Sequence, residues 1–287
     1  MQTLCRLYIA SLCALLVLTA RGQSPAPARQ VFEVRGVVRA LEPDGKTVVI
    51  QHEAIPHYMD AMTMPFEVHD SKELRGLQPG DAILFRMVVT PAEGWVEGIT
   101  KQGKSPAELP SRSSIHISRA LEPLDEGDLL PDYHFTNELG RAVSLSQYKG
   151  QVIAFTFFFT RCPFPNFCPR LTSNFSEAAA KLDHASNAPP QWHFFSISFD
   201  PTNDTPARLE AYGRHAHYDP RHWSFLTGDL GQISDLADQC GESFWTEGGS
   251  ISHNLRTLVV DARGRIRKIY GGSNWTSDEL VQDMIRH

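Results

Sequence analysis

Apolar and polar residues alternate in short runs through the first third of the chain, and gather into longer unbroken runs after it. Residues 32–41 and 46–51 are rich in β-branched residues and flank Glu42-Pro43-Asp44-Gly45, whose turn chemistry predicts a hairpin. Met62 to Val68 predicts a third strand, and Ala82 to Thr90 and Trp95 to Thr100 a fourth and fifth, with Pro79-Gly80 as a turn. Five short strands within about 70 residues predict a small antiparallel, OB-like β-barrel at residues 31–101.

After residue 101 the composition turns to Lys, Gly, Ser, Pro and Arg, which places a linker at residues 102–124. Beyond it the element types alternate. Val152 to Phe159 and Trp192 to Phe199 are almost continuously apolar, as strands buried on both faces require. Between and after them, Pro169 to Leu182, Thr205 to His215 and Leu230 to Cys240 fit helices, and Ser224 to Leu226 fits a short strand. Arg256 to Asp261 and Arg265 to Tyr270 form a hairpin around Gly264, and a last helix starts at Thr276 with Glu279 completing a capping box. This order predicts an α/β domain with a mixed sheet over residues 125–287.

Composition adds little to that picture and excludes one class. An apolar fraction of 41% and a charged fraction of 21% support packed cores. A net charge of −6 with no basic stripe gives no footprint for nucleic acid. The N-terminus changes more. Leu7 to Ala20 is an apolar run behind Arg6 and ahead of Ala20-Arg21-Gly22, which predicts a signal peptide at residues 1–22 and an exported, periplasmic protein. An uncleaved membrane anchor is the alternative, although the run falls short of the roughly 18 apolar residues a span needs. Export would remove Cys5 and Cys13, leaving Cys162, Cys168 and Cys240. Three are too few for a disulfide scaffold, so the close pair reads as a redox or metal pair and Cys240 as a buried, inert thiol.

The pair lies in Phe159-Thr160-Arg161-Cys162-Pro163-Phe164-Pro165-Asn166-Phe167-Cys168-Pro169, which leaves a buried strand and enters a helix. Pro169 suits the first helical position, so Cys168 is expected at a helix N-terminus, where free N–H groups and the dipole favour a thiolate. Such a pair suits a structural or redox disulfide, or two-sulfur coordination of Cu(I).

The second domain resembles the Sco/SenC family of thioredoxin-like copper chaperones. The matching pieces are the approach to Cys162, Cys168-Pro169, Asp200-Pro201 with Asp204-Thr205-Pro206, Trp223 to Gly228, and Ser252-His253 ahead of Leu258 to Asp261. The resemblance implies a copper site of Cys162, Cys168 and His253, and delivery of copper to the copper A centre of cytochrome c oxidase. The family usually has three residues between its cysteines, and this chain has five. His253 belongs to a loop feeding a strand expected beside the cysteine strand. A second class stays open: a thiol–disulfide oxidoreductase using Cys162 and Cys168 against a partner's cysteines, maintained by a periplasmic thiol reductant. Against general catalysis stand the spacing, which is not Cys-x-x-Cys, and the lack of proline from Gly248 to Arg256.

Three of the six methionines fall between His52 and Phe66. Met62 and Met64 are two apart, so on a strand both thioethers share a face. Thioethers are soft ligands suited to Cu(I), though methionine also fills gaps in cores. The stretch resembles the periplasmic CusF-type copper-binding domain, in which a histidine and a Met-Thr-Met pair hold Cu(I) under a tryptophan. The resemblance implies ligands His52, Met62 and Met64, with Met59 in the tryptophan's place and His57 as the substitute for His52.

Overall fold

The structure, a computed structural model, describes residues 29–105, 121–247 and 250–286. The expected signal segment and residues 106–120 of the expected linker lie outside them. No helix among the described residues is long and apolar enough to cross a membrane.

The first sheet contains β1 (Gln30–Leu41), β2 (Thr47–His52), β3 (Met62–Glu67), β4 (Asp81–Val89) and β5 (Gly94–Lys104) in the order β3-β2-β1-β4-β5, every pair antiparallel. The five expected strands are present, but the sheet is not closed into a barrel. Val68, which follows β3, bridges Val96 of β5 in parallel, and β3 and β5 pack against each other without a continuous ladder. After Glu67 the chain turns into a short 3-10 segment, Ser71–Leu74, begun by Asp70 accepting the Lys72 N–H. Val48, Ile50 and His52 point inward from β2, and Met62, Met64 and Phe66 from β3.

Asp81, at the start of β4, is buried, accepts the Gln78 N–H, and pairs with Lys101 at 2.7 Å and Lys104 at 2.8 Å. The two lysines hold its carboxyl well below the usual carboxylate range, against the opposing effect of burial. A folded-state pKa below the unfolded one stabilises the fold above about pH 4 and stops doing so as pH falls further. The melting temperature of Asp81→Asn is therefore expected to lie below that of the parent at pH 7, with the gap shrinking as pH falls through and below about 4. A gap that holds constant to pH 2 would remove the carboxylate from the explanation.

The second sheet joins β6 (His134–Asn137), β7 (Ala142–Ser144), β8 (Val152–Phe158), β9 (Trp192–Ser198), β10 (Trp223–Thr227), β13 (Arg256–Val260) and β14 (Ile266–Gly271) in the order β14-β13-β8-β9-β10-β6-β7. β8, β9 and β10 are parallel and buried throughout, as their unbroken apolar runs require. Among the described residues, four helices connect or flank them: α1 (Cys168–His184), α2 (Pro206–His215), α3 (Leu230–Gln239) and α4 (Ser277–Ile285). Thr205 caps α2, and Thr276 with Glu279 forms the expected capping box of α4.

Two hairpins depart from the sequence reading. β6 and β7 are too short, at four and three residues, to show alternation. β11 (Phe244–Glu247) and β12 (Ser250–His253) pair where the glycines between them suggest only a loop.

Candidate metal centre

The centre is built at the end of β8. Thr160 donates its N–H to Asp204 at 3.0 Å and its hydroxyl to the same carboxylate, which also accepts the Ser198 hydroxyl at 2.6 Å. Arg161 pairs with Asp200 at 2.8 Å. These contacts fix the strand exit, and Cys162 follows with its N–H on the Phe159 carbonyl. The chain loops through five residues and starts α1 at Cys168, with Pro169 in the first turn. β13 runs antiparallel beside β8, with Thr257 opposite Thr156, so its entry lies at the exit of β8. That register brings His253, at the end of β12, to the cysteines.

The ligand atoms of Cys162, Cys168 and His253 lie within 4.8 Å of one another, and this is the one such group of His, Cys, Asp and Glu among the described residues. Cys168 Sγ lies 4.0 Å from His253 Nε2. Cys168 and His253 are buried and Cys162 is half-buried. His253 Nδ1 donates to the Asn254 carbonyl at 2.5 Å and lies 3.3 Å from Glu242 Oε1. A carbonyl only accepts, so Nδ1 carries the hydrogen and Nε2 is the nitrogen turned to the sulfurs. Phe159, Phe167 and Phe199 pack around the ring.

Charge is divided unevenly. Burial would raise both thiols, but hydrogen bonds from Cys168 and His253 hold the Cys162 thiol well below its ordinary range. Burial and the Cys162 charge push Cys168 well above it. Within the pair the hydrogen bonds favour charge on Cys162 and oppose it on Cys168, the sulfur at the start of α1. Burial lowers His253, but Cys162 and Glu242 outweigh it and raise the imidazole to about 9. Burial raises Glu242 to about 7 against the opposing His253 and Arg256. Two sulfurs and one imidazole, with no hard oxygen among them, form a donor set for a soft ion such as Cu(I). Cys240 is buried, and burial pushes its thiol up as well.

In the first domain, His52 stands opposite Met62 and Ile50 opposite Met64 across β2 and β3. Met59 closes a tight turn onto Ile55. His57, at the exposed tip of that turn, has a φ of 62°. Met59, Met62 and Met64 then meet Cys162 and His253: all five line one cavity of about 10 Å³. His52 does not line it; its Nδ1 lies 2.7 Å from the Glu53 carbonyl.

The domains meet where β12 packs against β3 and where the intercysteine loop reaches the first sheet. Asn166 accepts the Gly94 N–H at 2.7 Å and donates to the Gly94 carbonyl at 2.9 Å. The Phe164 ring packs edge-on against Phe66 and lies over Gly94, where a Cβ would come within 2.6 Å of it. Tyr58 donates to the Pro163 carbonyl at 3.0 Å. Sequence reasoning treated the two clusters as separate and missed Glu242, Phe164 and Asn166. Asp204 stood out in the sequence only as part of the Asp204-Thr205-Pro206 match.

Residues 122–287 match the SCO1/SenC family model, and residues 31–101 match the model of the copper binding periplasmic protein CusF. A SCO1 protein homolog of Bacillus subtilis is 29% identical over 157 residues, which cover 53% of this chain and 79% of that protein. The crystal structure of a SCO1/SenC family lipoprotein from Bacillus anthracis is similar with a TM-score of 0.50 and 27% identity, covering 56% of this chain and 95% of the other. A structure of yeast Sco1 with copper bound is similar with a TM-score of 0.47 and 20% identity, covering 56% and 88%. The α/β region is therefore the thioredoxin-like domain expected of it, and the expected copper agrees with the family matched by residues 31–101.

Proposed function

The chain belongs to the SCO1/SenC family through residues 122–287, and from that premise we propose that it is an exported copper chaperone that binds copper at Cys162, Cys168 and His253 and passes it to a respiratory oxidase. The observation that carries this reading is the meeting of two cysteine sulfurs and a correctly turned imidazole within 4.8 Å. The metal is copper. Met62, Met64 and Met59 form a second, thioether site in the CusF-like domain, which captures Cu(I) and yields it to the thiols. Both sites are soft, so copper moves by ligand substitution within one chain at high effective concentration. The client is an oxidase subunit carrying a copper A centre, and a periplasmic thiol reductant keeps the cysteines available.

Titration of the reduced mature protein with Cu(I) is expected to saturate at about two equivalents per chain, and Met62→Leu with Met64→Leu at about one. Two equivalents in the double variant would remove the thioether site.

The geometry favours a second reading as well. Cys162 is half-buried and accepts hydrogen bonds from Cys168 and His253 that favour its thiolate, and Cys168 is near enough to resolve a mixed disulfide. Strong turnover of insulin disulfides would favour an oxidoreductase.

A further inference from the structure

We infer that the five-residue loop between Cys162 and Cys168 is a docking key, which seats the CusF-like domain over the thiol site so that thioethers and thiolates share one Cu(I) ion in a single cavity. The inference deepens the copper reading above and rests on it. Three observations carry it. The cavity takes its sulfur lining from both domains, Met59, Met62 and Met64 from one and Cys162 from the other, with His253 beside them. Its volume of about 10 Å³ is the room of a single small occupant. Beside the packing of β12 on β3, the loop that carries the cysteines supplies directed contacts between the domains. Phe164 is buried against Phe66 and Gly94, and Asn166, also buried, reads both backbone groups of Gly94.

Buried amide groups of this kind are costly to leave unpaired, so the Asn166–Gly94 pair fixes one register between the domains. In that register the metal need not cross water. Copper keeps its monovalent state throughout: Cu–thioether bonds break as Cu–thiolate bonds form, and the protons displaced from Cys168 and His253 leave to bulk water. A second Cu(I) ion finds no room in the closed cavity, so the second equivalent requires the domains to part.

The test uses the mature, reduced, selenomethionine-labelled protein with one equivalent of Cu(I), read by X-ray absorption at the copper edge. Selenium and sulfur are expected together around copper in the parent chain. Gly94→Leu drives a side chain into the Phe164 ring without touching any copper ligand, and Phe164→Ala removes the ring. Both are expected to lose selenium from the copper shell while keeping sulfur. Cys162→Ser with Cys168→Ser is expected to show selenium and no thiolate. A parent chain without selenium, when that cysteine variant binds Cu(I) through selenium, overturns the shared cavity and leaves the two-site chaperone standing. Selenium that persists in both Gly94→Leu and Phe164→Ala overturns the role of the loop. Absence of Cu(I) binding in every form overturns the copper reading itself.

Discussion

Replacing Cys168 with serine is expected to weaken Cu(I) binding at the thiol site by about a thousandfold, equivalent to roughly 4 kcal/mol. Serine is nearly isosteric, so the start of α1 survives, but its hydroxyl is a hard donor that stays protonated at neutral pH. The nearby thioethers of Met59, Met62 and Met64 are neutral and do not replace a thiolate's charge. Cys168 is wholly buried, and among the described residues the group it forms with Cys162 and His253 has no fourth histidine, cysteine or acid. Cys162→Ser should have an effect of the same order. Cys240→Ser should have little, because that thiol is buried at the end of α3, outside the ligand group. Competition against a chromophoric Cu(I) chelator measures all three. Unchanged affinity in Cys168→Ser would place the copper elsewhere.

The second large effect falls on stability. Phe175→Ala is expected to cost about 3–5 kcal/mol. The ring is wholly buried on α1 and stacks on Phe194 of β9 with centroids 4.6 Å apart and planes at 25°. It also meets Trp223 of β10 edge-on at 5.8 Å and Trp275 at 6.0 Å. Aromatic rings so enclosed cannot collapse into the vacated space, so the cavity remains. Against a domain stability of about 5–15 kcal/mol, the loss is a large fraction. It also reaches the metal, since α1 carries Cys168 at its first residue. Urea unfolding followed by tryptophan fluorescence should show a lower midpoint with an unchanged slope. A shift under 1 kcal/mol would mean the aromatic cluster repacks freely.

The sequence reading went furthest where one residue's chemistry decides its own neighbourhood. The unbroken apolar runs of β8 and β9 could belong only to strands covered on both faces. Pro169 announced the start of α1, and Thr276 with Glu279 the start of α4. Cys162, Cys168 and His253 were implied as a set by the family resemblance, and the exit of β8, the start of α1 and the entry to β13 bring them together. What stayed hidden depends on contacts between distant segments. Glu242 is an ordinary acid in the sequence, and only the β11–β12 hairpin brings it to His253. The unequal acidity of the two cysteines follows from their hydrogen bonds with each other and with His253, which no spacing reports. Five strands could be counted in the sequence, but the count does not report how β3 and β5 are joined, which here is one parallel bridge at Val68 and Val96. Phe164 and Asn166 looked like filler in a long loop until their partners at Phe66 and Gly94 were in place.

Gly94 has a backbone conformation open to any L-residue, so its own loop places no demand on it. Selection at that position is imposed instead by an aromatic ring in the other domain. Related chains that keep Phe164 should tolerate only glycine there. A detached CusF-like module, relieved of the ring, should accept alanine at little cost and gain slightly from a stiffer unfolded chain. The pattern of permitted substitutions at one residue thus becomes a record of whether two modules have been inherited as a working pair.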